Sequence, residues 1–287
     1  MYLRWYRAEN FDASPVVRIS RDGKNTQEFS ITEAPGFEKG AVYDFAPGPR
    51  GEMYLLAART ADRRHVVRFR ESGEFDSSFV LEPHIEPDKI AVFASGEFLV
   101  SGRELSAAAS ELTGRFLLAI YDPRGQFVRE ISLPRDISIV QGSEGAKSNA
   151  GEEDVESVYA GTSVVTADDG NIYLMRPTTA PTVYVISPGG AVVRRLALSA
   201  PGEHFQPSTM KVAVGTIAVQ FSKKKKDGTL ELELFSVFDA QNGERLGSYL
   251  STPEIGGAWV CYTADGFAFL GSTGTPRRLS LIQASPY

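Results

Sequence analysis

The chain has 287 residues, 42% of them apolar and 23% charged, with a formal net charge of −6 and a pI near 5.3. No apolar run approaches the roughly 20 residues of a membrane-spanning helix, and the acidic balance argues against a nucleic-acid surface, which needs a basic field to attract phosphates. The single cysteine, Cys261, excludes an internal disulfide and any CxxC metal or redox arrangement; its setting in AWVCYT predicts a buried structural thiol.

In chain order, the first segment, MYLRWYRAEN, lacks the apolar stretch and small-residue cleavage site of a secretory signal. The longer start MYLRWYRAENFDASPVVRISRDG aligns with MYLLAARTADRRHVVRFRESG further on, so the chain is expected to enter at the second strand of a repeating unit. Two half-units then alternate. The first is an apolar strand, a glycine turn and a second apolar strand: VYDFAPGPRGEMYLLA, KIAVFASGEFLVSG, SVVTADDGNIYLM, MKVAVGTIAVQF and AWVCYTADGFAFLG, with turn glycines Gly51, Gly96, Gly170, Gly215 and Gly266. The second alternates aromatic and β-branched residues around a polar turn: VVRISRDGKNTQEFSI, VVRFRESGEFDSSFVL, LLAIYDPRGQFVREISL, VYVISPGGAVVRRLAL and LFSVFDAQNGERLGSYL, with turn glycines Gly23, Gly73, Gly125, Gly189 and Gly243. Glycine supplies the positive φ that tight hairpins need. The C-terminal segment FAFLGSTGTPRRLSLIQASPY is expected to stop after a third strand.

Alternation near period two dominates, and no stretch sustains a helical period. Four short strands per repeat make a small sheet that cannot bury both faces unless similar sheets pack against it. The fold class is therefore all-β, a β-propeller of four-stranded antiparallel blades with incomplete terminal blades, in one domain over residues 1–287. Third strands near Val16, Val66, Leu117, Val183, Phe235 and Leu279 favour six blades; the complete first hairpins number five, the alternative count. A β-sandwich is the competing arrangement.

The stretch SVVTADDGNIYLMRPTTAPTVYVISPGGAVVRRLAL resembles the repeats of NHL-type six-bladed propellers, a DxxGNIYV hairpin followed by VxVFxPxGxxxxxF. RRHVVRFRESGEF and LLAIYDPRGQFVREISL match the second half of that unit. The resemblance implies an interaction platform, related six-bladed folds including metal-dependent lactonases, and it carries no functional residue over to this chain.

Chemistry on such folds sits in loops at the channel mouth. The inter-blade loops are acidic, and two pair an acid with histidine, Glu82/His84 and Glu203/His204. The candidate ligand or metal residues are Glu38, His84, Glu86, Asp88, Glu203, His204 and Glu254. If convergent, their carboxylates would hold a divalent cation, and His with Glu would suit zinc; if not, they are ordinary solvated loop residues. His65, opening the strand HVVRF, is expected at an edge-facing surface position. Lys223 to Lys226 read as a charged hairpin tip, and QGSEGAKSNAGEEDVE as a flexible insertion. Neither GxGxxG nor GxxxxGK[ST] precedes a helix, so no cofactor is identified.

The expected function is non-catalytic binding of a protein or small-molecule ligand at the mouth and inter-blade loops, by a monomer without nucleic acid or a transmembrane segment. A metal-dependent hydrolase of the lactonase type is the alternative, and it would need convergent Glu, Asn and Asp around a metal. Asp44, Asp168, Asp169, Asn171 and Asp265 lie near the first hairpins. The start of the chain leaves two locations open, the cytoplasm or, the reading preferred, the periplasm or extracellular space with a signal peptide removed ahead of Met1.

Overall fold

The computed structural model describes residues 1–4, 13–20, 24–59, 62–81, 85–105, 112–133, 163–178, 181–250, 258–263, 266–273 and 278–284. Strands dominate these residues, with one short 3₁₀ turn at Ile31–Glu33. They form six sheets, each with its strands paired in chain order. Sheet 1 holds β1 (Tyr2–Arg4), β2 (Val16–Ile19) and β3 (Thr26–Phe29), and sheet 2 holds β4 (Ala41–Pro47), β5 (Met53–Arg59), β6 (Asp62–Phe69) and β7 (Phe75–Val80). Sheet 3 holds β8 (Ile85–Val92), β9 (Phe98–Leu105), β10 (Leu112–Tyr121) and β11 (Phe127–Glu130). Sheet 4 holds β12 (Ser163–Thr166), β13 (Ile172–Arg176), β14 (Thr182–Ile186) and β15 (Val192–Ala197). Sheet 5 holds β16 (Gln206–Ala213), β17 (Thr216–Lys224), β18 (Leu230–Asp239) and β19 (Arg245–Leu250), and sheet 6 holds β20 (Ala258–Thr263), β21 (Gly266–Thr273) and β22 (Arg278–Ala284).

Burial follows strand position. Three second strands are sealed on both faces over most of their length, Met53 to Ala58 in β5, Phe98 to Gly102 in β9 and all of β13, whereas β17 keeps accessible surface at Thr216, Gln220 and Ser222 to Lys224. Fourth strands alternate, β19 exposing Leu246 and Leu250 while Arg245, Gly247 and Tyr249 turn inward. First strands are half-exposed over much of their length, as β4, β12 and β16 show.

The chain divides into two compact units, one of residues 2–161 and 186–192, the other of residues 162–185 and 193–287 with Met1. In the first unit, sheets 1 and 2 share a core of Val16, Phe29, Met53, Leu55, Val67 and Phe69, and sheets 2 and 3 one of Tyr54, Leu56, Val66, Phe98, Val100 and Tyr121. In the second, Tyr173, Val183, Met210, Ile217 and Phe221 join sheets 4 and 5, while Phe235, Trp259, Phe267 and Phe269 join sheets 5 and 6. First strands of neighbouring sheets lie side by side: β4 with β8 in one unit, β12 with β16 and β16 with β20 in the other.

The third-to-fourth turn of one sheet also rests on the fourth strand of the sheet before it. A Cβ on Gly73 would strike Glu28 and one on Gly125 would strike Phe79, while Gly243 sits against Leu196 and Ala197. Arginines lock the same junctions: Arg18 pairs with Glu71 at 2.9 Å, Arg68 donates to the Pro123 carbonyl at 3.0 Å, and Arg194 to the Ala240 carbonyl at 3.2 Å. These four-stranded antiparallel sheets are the blades of a β-propeller. Among the described residues sheets 2 to 5 have four strands and sheets 1 and 6 three, which agrees with the incomplete terminal blades expected from the sequence.

Three local expectations change. In SPGGA the positive φ falls on Gly190 (+77°), not Gly189, because Gly190 donates back to the Ser187 carbonyl and takes the left-handed position of that turn. His65 is buried instead of edge-facing: its ring packs edge-on to Phe37 with centroids 5.2 Å apart, and burial pushes its pKa below the usual histidine range against the opposing pull of Asp62. Cys261 is partly exposed, beside a break in the pairing register between Trp259 and Cys261. Lys223 to Lys226 do reach a hairpin tip, closed by Lys225 and Thr229 with Gly228 at φ +83°.

Candidate functional site

The half-exposed first strands carry the chemistry. In the first unit, β4 and β8 each lose one residue from the pairing register, between Val42 and Asp44 and between Pro87 and Lys89. Such a bulge bends the strand and re-aims the side chains around it. Pro87 is tolerated because β8 is the edge of its sheet, where a missing N–H costs no ladder bond. Opposite it, a Cβ on Gly102 would lie 2.2 Å from the Glu86 carbonyl oxygen, so only glycine lets the two backbones approach this closely.

From this bulged stretch Asp44 reaches the next blade and accepts a hydrogen bond from the Ile90 amide at 2.8 Å. Burial raises its carboxyl to about 6, against the opposing effects of Lys89 and of the Ile90 and Phe45 amides, while Asp88 adds to the rise. The carboxyl is buried although the residue as a whole keeps some accessible surface. Lys89 lies 4.0 Å from Asp88, both partly exposed.

The second unit repeats the tie with a neutral group. Ser163 Oγ accepts from the Met210 amide at 3.2 Å, joining β12 to β16. Asp44, Lys89 and Ser163 each stand seven residues before a turn glycine, Gly51, Gly96 and Gly170, so one repeat position serves as the link between blades in two of them. Between β16 and β20, the Lys211 ammonium lies over the Trp259 indole, 5.3 Å from the ring centroid. The indole is pinned by its own hydrogen bond to the Cys261 carbonyl at 2.8 Å. Beside it the hydroxyls of Tyr262 and Thr216 meet at 3.0 Å, and Thr216 donates onward to the Ala213 carbonyl.

The structure separates the residues singled out in the sequence. Glu38 is exposed in the loop between sheets 1 and 2, and its carboxylate is held below the usual range by bonds from its own backbone amide and from the Gly36 amide, the latter at 3.1 Å. Glu86 and Asp88 are strand residues of β8, not loop residues, because the strand begins at Ile85, ahead of the apolar run. Glu203 and His204 belong to the other unit, exposed in the loop before β16, with His204 at φ +64°. His84 and Glu254 lie outside the described residues, as do Glu82, Asp265 and the insertion at 141–156. Among the described residues, no three His, Cys, Asp or Glu side chains gather as a metal-ligand group. Asp168 and Asp169 are turn residues, Asp169 capping its own turn through the Asn171 amide.

Sequence reasoning missed Asp44 as the buried link and Lys211 as the stacked amine. A signal exists in the parallel between EPDKI and QPSTM, where a proline precedes the bulge in β8 and in β16. No family model and no curated protein matches the chain. Solved structures do resemble it. A protein of unknown function from Bacteroides caccae is 12% identical over 95% of this chain and 78% of its own, with a TM-score of 0.46. A streptogramin B lyase is 12% identical over 85% and 74%, at 0.44, and the Dos1 propeller 13% identical over 94% and 61%, at 0.46. At this identity and TM-score the resemblances support no reading of activity. No helix among the described residues is long and apolar enough to cross a membrane.

Proposed function

We propose that the chain is a non-catalytic binding module that receives a protein or small-molecule ligand on the first strands of its blades and the loops that enter them. One observation carries this reading. The second strands β5, β9 and β13 are sealed over most of their length, whereas the first strands combine half-exposure with mixed polar chemistry: Tyr43 and Asp44 on β4, Glu86, Asp88 and Lys89 on β8, Thr209 and Lys211 on β16, Cys261 and Tyr262 on β20. Surfaces that mix apolar, aromatic and charged groups on rigid strands suit recognition, since the scaffold holds each contact in place without an ordering cost on binding. The bulges between Pro87 and Lys89 and between Pro207 and Thr209 serve the same end, turning a residue out of the ladder.

Glu38 adds an exposed loop contact in the first unit, and Glu203 and His204 add theirs in the second. The DDGNIYLM hairpin pattern keeps the reading close to the interaction propellers of NHL type. Affinity capture from the native host tests it with three baits: the wild type, Asp88→Ala/Lys89→Ala, and Lys224→Ala/Lys225→Ala/Lys226→Ala at the hairpin tip. A partner or ligand held by the first and third baits but lost by the second supports the reading. One lost only by the hairpin-tip variant, or none held by the wild type, contradicts it.

A further inference from the structure

Lys223 to Lys226 are four of the nine lysines in a chain of net charge −6, and the first-strand reading gives them no role. They end the hairpin of β17 and β18, whose strands run for 9 and 10 residues against 5 each in β13 and β14. Exposure climbs along this hairpin: Phe221 is buried, Ser222 and Lys223 are half-buried, and every residue from Lys224 to Glu231 is exposed. The tip closes on itself, Gly228 donating to the Lys225 carbonyl at 2.9 Å and Lys225 to the Thr229 carbonyl at 2.8 Å, and a Cβ on Gly228 would meet nothing within 4 Å. The acids of the tip are already engaged. Glu231 pairs with Lys223 at 3.2 Å, and Asp227 accepts from the Thr229 amide at 2.9 Å and its hydroxyl at 2.6 Å. Among the described residues Lys224, Lys225 and Lys226 pair with no carboxylate. Leu230, the register partner of Lys224, is 57% exposed at the same tip.

We propose that this hairpin tip is a docking site for an anionic lipid surface, which it meets with its lysines at the headgroups and Leu230 at the acyl boundary. Charge complementarity is confined to this point, because the chain as a whole is acidic and a negative surface draws in only its basic tip. A lipid suits the tip better than a nucleic acid does. Lysine stems lie along apolar surface while their ammonium groups reach phosphates, and an exposed leucine gains from acyl chains but not from a phosphodiester backbone. No aromatic residue stands between Phe221 and Phe235 to offer a base a stacking face. The turn also bonds internally, so it enters the interface without orphaning those backbone groups. Each lysine at an anionic leaflet strengthens binding about fivefold, so the three without a carboxylate contribute about a hundredfold, which gives weak and reversible attachment.

The test uses the full chain and sedimentation with vesicles of phosphatidylcholine, alone or mixed with phosphatidylglycerol. Binding to the mixed vesicles is expected to exceed binding to the neutral ones at least tenfold, and to fall at least tenfold as salt rises from about 0.05 M to about 0.5 M. Lys224→Gln/Lys225→Gln/Lys226→Gln should lose at least tenfold, while arginine at the same three positions keeps the binding. Leu230→Ser should lose at least threefold. Leu246→Ser, equally exposed but beside the Phe238 end of β18, should change nothing. Equal binding to both vesicles, no binding to either, a glutamine variant that binds as the wild type does, or equal losses from the two leucine variants overturns the proposal. So does tighter binding to a single-stranded oligonucleotide than to the mixed vesicles. Lipid is the sole partner in this assay, so its failure leaves the first-strand reading intact, and capture of first-strand partners uses membrane-free extract.

Discussion

Asp44 and Ile90 sit on the first strands of two neighbouring blades, and the 2.8 Å hydrogen bond from the Ile90 amide to the Asp44 carboxylate joins them where no β-ladder does. A hydrogen bond to a charged acceptor is worth about 1.5–3 kcal/mol net, and an orphaned buried amide costs a similar amount. Asp44→Ala is therefore expected to lower unfolding stability by about 2 kcal/mol, while Asp44→Asn, which keeps an acceptor, costs less than half as much. Urea unfolding followed by far-UV circular dichroism reads both. Equal losses in the two variants would show that the bond contributes little.

The same carboxyl gives stability an unusual pH dependence. Its pKa in the fold, about 6, is raised from 3.8, so between these values the native chain holds a proton that the unfolded chain has released. The stability added by this retained proton is then full below about pH 4, falls as pH rises to about 6, and is lost above that, leaving the hydrogen bond to the Ile90 amide. A rise from 3.8 to about 6 sets an upper bound of about 3 kcal/mol on this contribution. Lys89 and Asp88 on β8 are the charged groups that act on it. The stability of the wild type minus that of Asp44→Asn should decrease from pH 4 to 6.5; a constant difference contradicts the assignment.

Gly102 controls how closely β8 approaches β9. With the Glu86 carbonyl oxygen 2.2 Å from a new Cβ, Gly102→Ala must push the start of β8 away. Overpacking of this kind costs about 1–3 kcal/mol. Hydrogen exchange should quicken over Ile85–Lys89 while the sealed strand β5 stays protected. Unchanged exchange at β8 would mean that the backbone absorbs the methyl elsewhere.

Two turn glycines separate conformational strain from contact. Gly125 and Gly170 share φ +80°, but a Cβ on Gly125 meets Phe79 at 2.3 Å whereas one on Gly170 meets nothing within 4 Å. Both alanine variants lose about 1 kcal/mol to the left-handed backbone, and only Gly125→Ala also disturbs the neighbouring blade. It should be the less stable of the two by about 1 kcal/mol or more in chemical unfolding. Equal losses would remove the turn of one blade from the packing of the blade before it.

Much of the architecture was legible because turn chemistry and period-two alternation are local: the glycines at 51, 73, 96, 125, 170, 215 and 243 all take positive φ, and strands fall on either side of them. The site was less legible. The strand β8 was hidden because Pro87 reads as a loop signal, and its bulge at the sheet edge depends on Gly102, a residue fifteen positions away in the chain. His65 looked like a surface residue because its arginine neighbours are polar, yet Phe37, from the loop entering the blade, covers it. Asp44 and Lys211 owe their character to the adjacent blade, which no local pattern encodes.

The central claim, that recognition happens on the first strands, is tested most directly by amide hydrogen exchange of the protein with and without its captured partner or ligand. The account predicts added protection over Val42–Pro47 in β4 and Ile85–Val92 in β8, with the fourth strands β7 and β11 unchanged. Protection confined to those fourth strands or to the third-to-fourth turns at Gly73 and Gly125 would contradict it.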